Sequence, residues 1–162
     1  PDNRRKVDYQ LLTAQLDDIV KGWEQDPAAF AKSLWENPDG RLKHWITWLL
    51  LQERRNFDVL FHEGSYIPLK ATGTYEKNVV AFYRNFFHEY LIVVVTLNTA
   101  VLPSGVNWED THIKLPGFWP TAMENRLTRE IVTVKEQLQL TDLFTSLPFA
   151  VLRNVPEEGS VR

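Results

Sequence analysis

There is no cysteine anywhere in the 162 residues, so disulfides and thiolate metal sites are both excluded. That composition fits a cytoplasmic protein, which is the expected location. No stretch approaches the ~20 apolar residues that a membrane span needs, and no signal-peptide pattern begins the chain. The longest apolar run, Tyr90 to Val95, has the length of a buried strand. Excess charge of one sign is missing too. Eighteen basic residues against twenty-one acidic leave a net −3, which argues against a nucleic-acid partner. The nucleophile elbow, the phosphate-binding glycine loop and the dinucleotide fingerprint are all absent. His44, His62, His88 and His112 fall on separate expected elements, away from the spacing that metal pairs favour. No metal and no cofactor is expected.

What is present reads as one ordinary globular unit. Hydrophobic content is 44% and charged content 24%, and a chain of this length buries roughly 70% of its extended surface. Six tryptophans stand out, because each is costly to expose and each stacks well on a sugar ring.

The first third has helical periodicity. Leu12, Leu16, Ile19, Val20 and Trp23 share a face between Asp8, placed as a cap, and Gln25. Asp26-Pro27 starts a second helix that ends near Asn37-Pro38. Asp39-Gly40 reads as a turn before a third helix over about Arg41 to Arg55. Its apolar residues reach nearly round the helix: Leu42, Trp45, Ile46 and Leu49 in one stripe, with Trp48, Leu50 and Leu51 widening it. A helix of that kind needs burial on most sides, hence a further layer.

Beyond Phe57 the pattern turns to short strands: Tyr66 to Ala71, Asn78 to Arg84, Tyr90 to Thr96, Thr111 to Lys114, Arg129 to Val134 and Pro148 to Arg153. Leu138 to Leu147 reads as a turn or short helix, and the polar tail from Pro156 as frayed. Helices first and strands afterwards predict an α+β fold: N-terminal helices followed by an antiparallel β-sandwich, divided as 1–58 and 59–162.

Several runs carry a family resemblance. They are Pro1 to Tyr9, Gly40 to Arg55, Leu60 to Leu69 and Val79-Val80-Ala81-Phe82-Tyr83-Arg84, with Leu127-Thr128 and Leu143 to Pro148 as weaker matches. Trp108 through Pro116 also fits, as a tryptophan before an acidic-Thr pair and Leu-Pro. In this order and spacing the chain resembles the carboxy-terminal part of maltooligosyl trehalose synthase, in the α-amylase superfamily of glycoside hydrolases. Lys6 stands where that family has proline, and Arg129 where it has glycine.

The resemblance implies a terminal β-domain of the α-amylase type, with the catalytic barrel upstream of Pro1 as its missing partner. The intact enzyme is an isomerase of trehalose biosynthesis, an intramolecular transglucosylase. It turns the reducing-end α-1,4 link of a maltooligosaccharide into an α,α-1,1 link. Retaining chemistry of that kind needs two carboxylates about 5–5.5 Å apart; by resemblance these lie on barrel strands outside this chain. No catalytic residue is therefore expected here. Asp17-Asp18 does not substitute on spacing grounds, and Glu109-Asp110 does not because neighbours on a strand point to opposite faces.

Two groups remain as candidate contacts. By resemblance, Asp2, Asn3, Arg4 and Arg5 would orient loops or touch substrate hydroxyls in the intact enzyme. Trp108 and Trp119, on the loops between strands, are the candidates for gripping a pyranose face if the chain is instead a maltooligosaccharide-binding module. The helical Trp23, Trp35, Trp45 and Trp48 are expected in a core or interface. An exposed patch at Trp45, Trp48 and Leu51, covered by the barrel or by self-association, follows from the first reading.

Overall fold

Caps written into the sequence set the helices. A computed structural model describes residues 6–102, 106–117 and 119–155. Helix α1 spans Tyr9–Gln25, and the Asp8 carboxylate accepts from Leu11 N–H at 3.0 Å. Asp26 closes α1 and opens α2, Pro27–Glu36, by accepting from Ala29 N–H at 3.1 Å. Asp39 does the same for α3, Gly40–Asn56, taking Arg41 N–H at 2.8 Å. Asp39-Gly40 is thus a cap and a first helical residue, where the sequence suggested a separate turn. Each carboxylate satisfies a donor that the first helical turn leaves open. A short α4, Asp58–His62, follows in the stretch ahead of the first expected strand.

Among the described residues nine strands then build two antiparallel sheets. They are β1 Ser65–Leu69, β2 Ala71–Thr72, β3 Val79–Phe86, β4 Glu89–Thr96, β5 His112–Lys114, β6 Ala122–Asn125, β7 Ile131–Thr133, β8 Gln137–Gln139 and β9 Phe149–Asn154. The larger sheet runs β1-β3-β4-β9-β6-β7 and the smaller β2-β5-β8. A four-residue α5, Leu140–Leu143, sits between β8 and β9. The α+β class and the sandwich are as the sequence predicts. Two strands, β6 and β8, were not anticipated, because three or four residues give too little alternation to read.

Side-chain alternation sends each long strand to two different cores. On β4, Ile92 and Val94 face the smaller sheet, joining Ile113, Met123, Leu138, Leu140, Ala150 and Leu152. Leu91 on the same strand faces the helices, with Ile19, Trp23, Leu34, Trp45, Leu49, Leu60 and Val151. The molecule has three layers, with the six-stranded sheet in the middle. The further layer that α3 demanded is therefore the sheet itself. The expected exposed patch is corrected on this point. Trp45 is fully buried against Phe30, with ring centroids 6.1 Å apart, and Trp48 packs edge-on against Trp23. Leu51 alone of the three is exposed.

Glycine is obligatory in the β2–β3 turn. Gly73 has φ +118°, and a Cβ there would strike the backbone of Asp110. A side chain at this point would push the β2–β3 turn off the loop that leads into β5.

Candidate functional site

Two of the runs that carry the resemblance meet at the end of α4. Arg84, at the end of the Val79–Arg84 run, reaches into the Leu60–Leu69 run. It donates to the carbonyls of Leu60 at 3.2 Å, Phe61 at 2.8 Å and Gly64 at 3.0 Å. These carbonyls close α4, where a helix leaves acceptors unpaired, and one guanidinium supplies donors for all three. Leu127, from a weaker match, accepts the Trp23 indole N–H at 2.8 Å through its carbonyl.

Arg129 occupies the position where the resemblance expects glycine. Its φ is +58°, a left-handed conformation that glycine adopts without cost. The guanidinium lies over the Trp23 ring, 4.2 Å from its centroid, so a cation–π contact offsets the backbone strain.

A charged seam joins α3 to the sheet nearby. Glu53 is buried and pairs with Arg126 at 2.9 Å, while Arg126 also binds Glu124. Arg153 pairs with Glu89 at 3.0 Å and stacks on the Phe57 ring. Burial lowers the Arg153 pKa from its ordinary value, and Glu89 works against that shift.

Asp2, Asn3, Arg4 and Arg5 lie outside the described residues. Trp108 and Trp119 are both described, and both are buried, at 8% exposure each. Trp108 packs between Tyr75 and Phe144, with centroids 5.3 Å from each. Trp119 packs on Tyr83 and Tyr90 and donates its indole N–H to the Pro116 carbonyl at 2.9 Å. This fits the structural role that the Trp108–Pro116 match implies for Trp108, and the alternative in which the two rings offer a face to a sugar is corrected. Lying on a loop does not expose a ring when the loop folds over the sandwich core.

The loop acids work locally. Asp110 takes the Thr74 N–H at 3.1 Å and the Thr74 hydroxyl at 2.6 Å, which clamps the β2–β3 turn to the loop before β5. The Thr74 hydroxyl is the largest cause lowering the Asp110 pKa, and the hydrogen bond from Arg41 N–H likewise lowers that of Asp39. A general acid needs a shift in the other direction. Among the described residues no group of three His, Asp or Glu could hold a metal, and no helix is long and apolar enough to cross a membrane.

One feature escaped the sequence reading. Between the free edges of β7 and β8 lies a groove of about 470 Å³. It is lined by Glu130, Thr133, Lys135, Gln137, Gln139 and Asp142. The alternation Gln137-Leu138-Gln139-Leu140 was the signal for β8, obscured by assigning Leu138 onward to a turn or helix.

No protein-family model matches the chain, and no curated protein matches it. A solved structure that resembles it is the maltogenic α-amylase AmyB from Thermotoga neapolitana. The TM-score is 0.48 and the identity 13%, over 74% of this chain and 26% of that one. The chain spans about a quarter of that protein's length.

Proposed function

We propose that the chain is a non-catalytic, structural region of an enzyme of the maltooligosyl trehalose synthase kind, one that packs beside a catalytic barrel. The intact enzyme would convert the reducing-end α-1,4 link of maltooligosaccharides to an α,α-1,1 link. The observation that carries this reading is the use made of the resembling motifs. Arg84, Leu60, Gly64 and Leu127 are taken up by contacts inside the chain and leave nothing for chemistry.

An uncovered sheet face gives further support. On the helix side, Tyr66, Val80 and Val95 are exposed and Phe82 is half-buried. Register places Val80 opposite Val95 and Pro68 opposite Phe82. The Tyr66 and Phe82 rings lie 4.7 Å apart, and Trp35 extends the stripe from α2 by packing on Phe149. A contiguous apolar stripe of this kind fits a partner surface. The barrel is its proposed occupant, and self-association is what the chain would do alone.

Light scattering across a concentration series tests this. The wild type is expected to self-associate, and the double variant Tyr66→Lys, Val80→Lys to stay monomeric. A wild type monomeric at every concentration would count against the stripe as an interface. Incubation with maltopentaose is expected to give no α,α-1,1-linked product, and its formation by this chain would overturn the reading.

A further inference from the structure

Arg153, on β9, lies where the β3–β4 hairpin, α3 and β6 come together. Register sets it opposite Leu91 of β4 on one side and Glu124 of β6 on the other. Glu89, two residues before Leu91, shares that face of the sheet, and its Oε2 accepts from Arg153 Nη2 at 3.0 Å. A guanidinium is a fork built for two parallel bonds, and this one grips with a single arm. The neighbouring Nε is buried and has no acceptor among the described residues.

The complementary atom stands on α3. Arg126 places both Nε and Nη2 on one Glu53 oxygen, Oε1, each at 2.9 Å. Glu53 Oε2 is buried and accepts nothing among the described residues. Phe57 follows Glu53 by one helical turn and donates its N–H to the Glu53 carbonyl at 3.0 Å, so the two side chains are neighbours. Arg153 lies over that same Phe57 ring, 3.0 Å from its centroid. An unused donor and an unused acceptor thus stand beside one aromatic ring. Glu53 is also within electrostatic reach, for burial lowers the Arg153 pKa while Glu89 and then Glu53 raise it.

Leaving both atoms unpaired is unfavourable, and a swing of the Arg153 side chain toward α3 would join them. We propose that Arg153 is a latch with two positions. In one it holds Glu89 at the base of the hairpin, and in the other it holds Glu53 on α3, with the Phe57 ring as the surface it crosses. The two carboxylates differ in access: the Glu89 side chain is 43% exposed and the Glu53 side chain 3%. A lysine or arginine arriving on a partner protein competes for Glu89 alone, and taking it sends Arg153 inward. Glu53 then holds two arginines, which ties α3 to β9 as well as to Arg126. The latch carries the state of the hairpin base to the helix layer, whether or not a barrel is the partner.

NMR of the arginine Nε–H signals in the whole chain tests it, with Arg153→Lys assigning the Arg153 signal. Glu89→Ala removes the outer carboxylate. The Arg153 signal is then expected to move downfield and to exchange more slowly with water, as an N–H does on gaining a carboxylate. The folding equilibrium constant should fall within about fivefold, the worth of a partly exposed pair. In a Glu53→Gln background the same change should cost about tenfold more, because no second carboxylate is there to take the guanidinium. An Arg153 signal unmoved by Glu89→Ala would overturn the latch, and so would equal losses in the two backgrounds. The NMR result needs only the mild variant, so it decides even where Glu53→Gln fails to fold.

Discussion

The two faces of the six-stranded sheet are built on different principles. The face toward the smaller sheet is mainly apolar: Ile92, Val94 and Leu152 interdigitate there with Ile113 and Leu138 of the smaller sheet. The face toward the helices mixes tryptophans with a buried ionic seam at Glu53, Arg126 and Arg153, and leaves part of the sheet bare near Tyr66 and Val80. Apolar packing is strong but tolerant of sliding, whereas a paired buried charge is unforgiving of position. The sandwich side therefore supplies cohesion, and the seam fixes where α3 sits on the sheet.

The largest effect should come from the sandwich side. Ile113→Ala removes a fully buried side chain from the central strand of the smaller sheet, and is expected to cost about 3–4 kcal/mol in denaturant unfolding. The transition should stay single, because both sheets share that core. Two resolved transitions would mean that the sheets are not coupled as described.

Glu53→Ala tests the other face. It strands Arg126 with only Glu124 and should cost about 3 kcal/mol. Hydrogen exchange should rise first in α3, while the β5 and β8 amides keep their protection. Equal loss of protection in α3 and β8 would erase the distinction between the faces.

Arg129→Gly is expected to be close to neutral, within about 0.5 kcal/mol. Relief of the left-handed backbone and loss of the cation contact with Trp23 are each worth about 1 kcal/mol. A large loss in the melting curve would show that the contact dominates, and a large gain that strain does.

The smallest effect belongs to Asp110, an exposed clamp on the sandwich side. Hydrogen bonding holds its folded-state pKa below the ordinary 3.8, so its contribution is present above that value and fades as pH falls below it. The melting-temperature gap between wild type and Asp110→Asn should thus be constant near neutrality and close in strong acid. A gap that closes already between pH 7 and 5 would point to a different titrating group.

Much of the scaffold was legible in the residues. Asp8 and Asp26 announce helix starts because a short carboxylate before a helical run has one good use, the open N–H groups of the first turn, whereas Asp39 beside Gly40 read as a turn. The long β3 and β4 were readable from their apolar content. The sites were far less so. Trp108 and Trp119 looked like loop residues, and only the folding of those loops over Tyr75, Tyr83 and Tyr90 decided that their rings are core. The β7–β8 groove joins segments whose alternation is only three residues long, and its shape exists only once two sheet edges approach.

The sequence by itself determined that helices precede strands, the caps at Asp8 and Asp26 and the absence of thiol chemistry, because each depends on residues close together in the chain. The tertiary structure alone decided that one sheet serves two cores. It also decided that Arg84 closes α4 from a strand some twenty residues away, and that Trp108 and Trp119 are buried. Those outcomes depend on which surfaces meet, and contact across the chain leaves no mark in local periodicity.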